Sequence, residues 1–159
     1  MSGAADRQID KMEGDKNDMV SITWKGIRKA DSPELLREVE HKYGIRYPHA
    51  YELIVMEYNA GFPDCSDFAA AGLGERVFGR LISVNREDHP NILDAALWQN
   101  DRTSEIKRIP FALDPFGNMI CFRCGENGSC AVVFIDHETG REFYLADTFE
   151  KFLDMLYAG

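Results

Sequence analysis

Three of the four cysteines fall close together, as Cys121-Phe122-Arg123-Cys124 followed by Cys130, with Cys65 far upstream. The C-x-x-C spacing is that of a zinc knuckle or a dithiol redox motif. Both chemistries demand a local shape that the neighbouring residues do not encode. A knuckle needs a turn between its cysteines, yet Phe122 and Arg123 are not turn formers. Positions three apart in an extended run also face opposite sides. A redox pair opens a helix, whereas this one runs into the turn signal Gly125-Glu126-Asn127-Gly128. The expected role is therefore buried small hydrophobes, reduced in an intracellular chain, with no metal and no cofactor.

The second place where chemistry could sit is Asp136-His137-Glu138, the one point where carboxylates flank a histidine. A general base oriented by Asp136, or a pair of metal ligands, would use these residue types. Consecutive residues of a strand end and turn diverge, however, and this triplet opens His137-Glu138-Thr139-Gly140, which reads as a turn. Asp114-Pro115-Phe116-Gly117-Asn118 lacks the repeated oxygens of a calcium loop and the basic residue of a phosphate cradle, so it too reads as a hairpin connection. His41, His49 and His89 share no metal-ligand spacing. The chain contains no G-x-G-x-x-G, P-loop, G-x-S-x-G or H-E-x-x-H motif. No enzyme is expected.

The elements that carry these residues are easier to read. From Ile109 to Leu145, four short apolar runs alternate with three turns, which predicts an antiparallel meander. Ser32-Pro33 starts a helix whose stripe is Leu35, Leu36, Val39 and Tyr43, and Gly44 ends it. A second helix begins at Pro48 and stops at Asn59-Ala60-Gly61. Residues 62–76 read as a loop, Val77–Val84 as a strand, and His89–Trp98 as a short helix. Asp147-Thr148-Phe149-Glu150 fits a capping box, followed by Phe149, Phe152, Leu153, Leu156 and Tyr157 on one helical face. Trp24 is expected to cover an edge of the core, in a stretch whose strand or helix character is ambiguous. The fold class is α+β: a mostly antiparallel sheet with helices packed around it, one domain over 18–159, after a polar disordered tail over 1–17.

Length and composition agree with one domain. The chain has 159 residues, 45% of them hydrophobic, enough for a sizeable core. No apolar run reaches bilayer length and the N-terminus has no signal-peptide pattern, so a cytoplasmic protein without a membrane association is expected. A net charge of −9, from 27 acidic and 18 basic side chains, opposes direct nucleic-acid binding and suits encounter with a basic protein.

The order of these features resembles the SUKH superfamily, which includes the fungal cell-wall-assembly-regulator domain and many bacterial toxin-immunity proteins. Glu40, Gly44, Ile45, Pro48, Tyr51, Asn59 and Gly61 carry the first half of the likeness. Ile109, Pro110, Phe111, Asp114, Gly117 and Asn118 continue it, and Val133, Asp136, His137, Glu138, Phe149, Phe152 and Leu153 complete it. It spans Ser32 to Tyr157. Two departures stand out: Tyr47 where Leu is usual, and Ala60 interrupting Asn-Gly-Gly. The resemblance implies a non-enzymatic immunity protein that binds a cognate toxin, a basic nuclease above all. The alternative it implies is a regulatory protein–protein interaction scaffold. It brings no catalytic residues. For the contact surface, the acidic loop with Asp64 and Asp67 is expected, with Phe68 as its apolar anchor. The sequence does not set the oligomeric state.

Overall fold

A computed structural model describes residues 22–100, 105–125 and 127–158; the expected tail over 1–17 lies outside them. The meander is present as four antiparallel strands, β6 (Lys107–Leu113), β7 (Met119–Cys124), β8 (Cys130–Ile135) and β9 (Glu142–Ala146). A short fifth strand, β5 (Arg80–Leu81), adds to the outer side of β6, giving the order β5-β6-β7-β8-β9. All three turns fall where Pro, Gly and Asn place them. The architecture is α+β in a single fold.

One face of this sheet is an aromatic platform. Phe111 stacks on Phe122 at 4.4 Å between ring centroids, and Tyr51 meets Phe122 edge-on at 5.2 Å. Phe149 closes on Tyr51 at 5.8 Å and on Phe111 at 5.5 Å. Edge-to-face and offset contacts of this kind add to the area that rings remove from water. Tyr51 belongs to α2 (His49–Tyr58) and Phe149 to α4 (Phe149–Asp154), so these two helices roof the platform. The amphipathic helix α1 (Glu34–Tyr43) buries Leu35, Leu36 and Val39, and Gly44 ends it at φ 67°. Trp24, in the short strand β1 (Trp24–Lys25), is buried; it stacks on Tyr58 and meets Phe78 edge-on, as an edge-covering residue should.

Helix α3 (Ile92–Gln99) starts three residues after the expected His89 because Asn91 caps it: its side-chain oxygen accepts from the Leu93 and Asp94 N–H groups. The Asp94 carboxylate accepts in return from the Asn91 N–H at 3.0 Å, completing a capping box. At its other end Asn100 donates to the Arg108 carbonyl and accepts from the Arg108 N–H. A side-chain amide thus pairs the part of β6 that β5 leaves uncovered, which blunts a sheet edge.

Four local expectations are corrected. Residues 62–76 are not a loop but three short strands, β2 (Phe62–Pro63), β3 (Asp67–Ala70) and β4 (Gly74–Val77). β2 pairs with β1, and β3 with β4 in a separate two-stranded ribbon. The expected strand Val77–Val84 is split, because Val77 completes the ribbon while Arg80 and Leu81 join the main sheet. The last helix is capped by Thr148, whose hydroxyl accepts from the Lys151 N–H, one position later than the expected Asp147–Glu150 box. Finally, the four cysteines are not all thiols: Cys124 and Cys130 form a disulfide. The C-x-x-C spacing pointed attention to Cys121, but the antiparallel register puts Cys130 directly opposite Cys124. Cys121 is a buried free thiol, pushed well above the usual range by burial, and Cys65 is a half-buried one.

Candidate partner-binding site

The three residues expected to form the contact surface have different fates. Phe68 is fully buried, packed on Phe152 at 5.5 Å and Phe134 at 6.3 Å, so it cannot serve as a surface anchor. The reason is strand alternation: β3 turns Phe68 inward onto the platform and leaves Ala69 exposed. Asp64 is exposed but has a structural task, since its carboxylate accepts from the Thr23 and Cys65 N–H groups. Asp67 stands half-exposed at the open end of the ribbon, opposite Val77, and its backbone bridges to Tyr157.

From Asp67 the surface continues into a groove of about 370 Å³ between β4, the β6–β7 turn and the β8–β9 turn. Its lining includes Glu75, Val77, Phe116, Asp136, His137 and Glu138. The two turns are built as a unit. Asp114 is buried and accepts from the Phe116 N–H, the Asn118 N–H and the Asn118 side-chain amide, all at 2.8 Å. The Asn118 side-chain oxygen Oδ1 then accepts from the His137 N–H at 2.9 Å, tying one turn to the next. Asp136 closes its own turn by accepting from the Glu138 and Thr139 N–H groups. Asp136-His137-Glu138 is accordingly a turn, as its residue order indicates, with the histidine exposed.

What this scaffold holds outward is an aromatic ring among carboxylates. Phe116 is 73% exposed at the tip of its turn, and Val77 and Tyr157 are also exposed. Glu75, Asp136 and Glu138 line the groove against one cation, Arg76. That guanidinium lies 5.6 Å over the Phe134 ring and donates to the Glu75 carbonyl. The Tyr157 phenol is pushed up, by burial first and then by the charges of Glu75 and Asp67. Sequence reasoning missed Phe116, Glu75, Val77 and Tyr157. A signal existed for Phe116: a large apolar residue in the middle of a four-residue turn has no core within reach.

A second polar cluster lies at the C-terminal end of α2. Asn59 is fully buried and saturates its amide: it donates to the Arg28 carbonyl and the Ser83 hydroxyl and accepts from the Val84 N–H. Ser83 in turn donates to Asp88 at 2.7 Å, and Arg28 grips the same carboxylate with two nitrogens. These bonds hold the Asp88 carboxyl below its usual range, Ser83 first and Arg28 second. Every group here is engaged by another, so the cluster fastens the chain rather than offering a reactive atom. Glu40 plays a similar part, accepting from the Tyr47 N–H across the α1–α2 connection. Among the described residues, no three His, Cys, Asp or Glu side chains gather as a metal-ligand set.

An antiparallel five-stranded sheet roofed by helices, with its motif residues spent on turns and connections, is the α+β arrangement that the SUKH resemblance implies. The chain matches the SMI1 / KNR4 family (SUKH-1) over residues 32–155 and belongs to that family. That membership is consistent with an immunity-protein or cell-wall-regulator-like domain. No curated protein sequence matches it. No helix among the described residues is long and apolar enough to cross a membrane.

Proposed function

We propose that the protein is a non-enzymatic immunity protein that binds a cognate protein toxin of a bacterial polymorphic toxin system and neutralises it, the toxin being a basic nuclease. Membership of the SUKH-1 family over 32–155 carries the reading. The net charge of −9 supports it, because a nuclease presents a basic cleft to phosphates and an acidic protein can occupy that cleft. The motif residues support it as well: Glu40, Asn59, Asp114 and Asn118 are engaged in structure, which leaves recognition to the exposed surface. The cytoplasm, where an incoming nuclease would act, is the compartment this function requires. A regulatory scaffold is the second reading, supported by the SMI1 / KNR4 branch of the family to which the chain matches.

Affinity capture from the native organism, with mass spectrometry of the bound proteins, separates the two. The immunity reading expects one tightly held basic protein whose purified toxic activity is suppressed by this chain. Several endogenous signalling or envelope proteins, none of them toxic, would contradict it and favour the scaffold.

A further inference from the structure

We propose that the groove between β4 and the two tied turns is the docking site for an arginine- or lysine-bearing segment of the protein partner, with Phe116 as the aromatic anchor. The proposal rests on the immunity reading for the identity of the partner, but its chemistry stands on the groove itself. The Phe116 ring is 73% exposed at its turn, so most of its apolar area is left for a partner to cover. Aromatic residues of this kind dominate interface energetics when a partner covers them.

The charges around the ring decide what can cover it. Glu75, Asp136 and Glu138 outnumber Arg76, and none of the three carboxylates makes an ion pair among the described residues. Arg76, which also lines the groove, is ion-paired with none of them, and its guanidinium lies 5.6 Å over the Phe134 ring. The acids also do not converge as a metal site would require, since one Asp136 oxygen is turned into its own loop, accepting from Glu138 and Thr139. An elongated organic cation fits instead: its apolar stem against Phe116 and Val77, its charged head between the carboxylates, with a cation–π contact available from the ring. Arginine suits this best, because a planar guanidinium both stacks and donates paired hydrogen bonds to a carboxylate. The site is preformed, since Asp114, Asn118 and Asp136 lock both turns without a partner present. Another groove, lined by Arg28, Asp88 and His89, carries less: its Arg28 and Asp88 are already paired with each other.

The test uses hexa-arginine as the probe, titrated into the ¹⁵N-labelled full chain at fixed low salt. Amide shift changes are expected to centre on 75–77, 114–118 and 136–140. Glu75→Lys with Glu138→Lys should weaken binding about tenfold, and Phe116→Ser about fivefold. A control pair of the same charge change on exposed helix positions, Glu34→Lys with Glu57→Lys, should cost about twofold or less, the part due to net charge alone. Retained amide dispersion in each spectrum shows that the variant is folded. Shifts spread over the whole acidic surface, or equal loss in the groove and control pairs, would overturn the proposal. If the peptide docks in the groove but no captured partner is toxic, the groove stands and the immunity reading falls. If a toxic partner is neutralised equally well by the groove variants, the reading stands and the groove falls.

Discussion

The departure from the usual Asn-Gly-Gly is resolved residue by residue around Asn59. Ala60 sits at φ 64°, the left-handed region that disfavours a Cβ, so it carries strain that glycine would not. Gly61 is required for another reason: a side chain there would meet the Tyr58 carbonyl at 2.8 Å. Ala60→Gly should therefore be neutral or stabilising, by up to about 1 kcal/mol, the relief of strain exceeding the added freedom of the unfolded chain. A lower urea midpoint for this variant would contradict that account. Asn59→Ala is expected to cost about 2–4 kcal/mol, because it leaves the buried Val84 N–H and the Arg28 carbonyl without their partner. Urea unfolding reads it directly, and a loss below about 0.5 kcal/mol would show the network to be dispensable.

At the scale of elements, the capping box of α3 gives a pH signature. Asp94 is held below the usual carboxylate range by the Asn91 N–H first and by His89 second. A depressed folded value contributes stability above the unfolded value of about 3.9, and that contribution is lost as pH falls through the lower folded value. Asp94→Asn should accordingly be less stable than the parent at pH 7, with the gap closing below about pH 4. Thermal unfolding across that range checks it, and a constant gap would assign the loss to shape rather than charge. The hairpin of β7 and β8 offers a second test. In the unreduced native protein, Cys65 alone should react with a thiol reagent, and denaturation should add Cys121 and no more. Four thiols on denaturation would exclude the Cys124–Cys130 bond.

These elements also show what a sequence can disclose. The meander was legible because its turns use Asp, Pro, Gly and Asn at places where backbone geometry demands them. The helix ends at Gly44 and Asn59 were legible for the same reason. The ribbon of β3 and β4 was hidden because Asp67–Ala70 and Gly74–Val77 are only four residues each and carry few β-branched residues, with Gly72 and Gly74 between their apolar positions, so propensity reads them as loop while packing against the platform makes them strands. That misreading also placed Phe68 on the surface, when alternation within β3 sends it into the core. The groove was illegible because it joins residues from three separate segments, which only the register of the strands brings together. The disulfide was missed for a related reason, since pairing follows the β7–β8 register rather than the spacing along the chain.

For the whole molecule, the fold spends buried polar residues such as Asn59 and Asp114 on fastening connections, and the proposed recognition surface is one acidic, aromatic-bearing end. Such a design favours fast capture of a basic partner through long-range attraction, followed by retention through local contacts. Raising salt from about 0.05 to 0.5 M should slow association with the captured toxin by roughly tenfold or more while changing dissociation much less. Surface plasmon resonance separates the two rates, and salt-independent association would argue against charge as the steering force.

Neutralisation of the proposed partner is read by a stoichiometric titration. The purified partner's toxic activity, nuclease activity in the expected case, is measured as this chain is added. Activity should be lost completely near one equivalent, with the heat-unfolded chain ineffective. Full activity retained in a saturated, isolable complex would show that the protein binds its partner without conferring immunity.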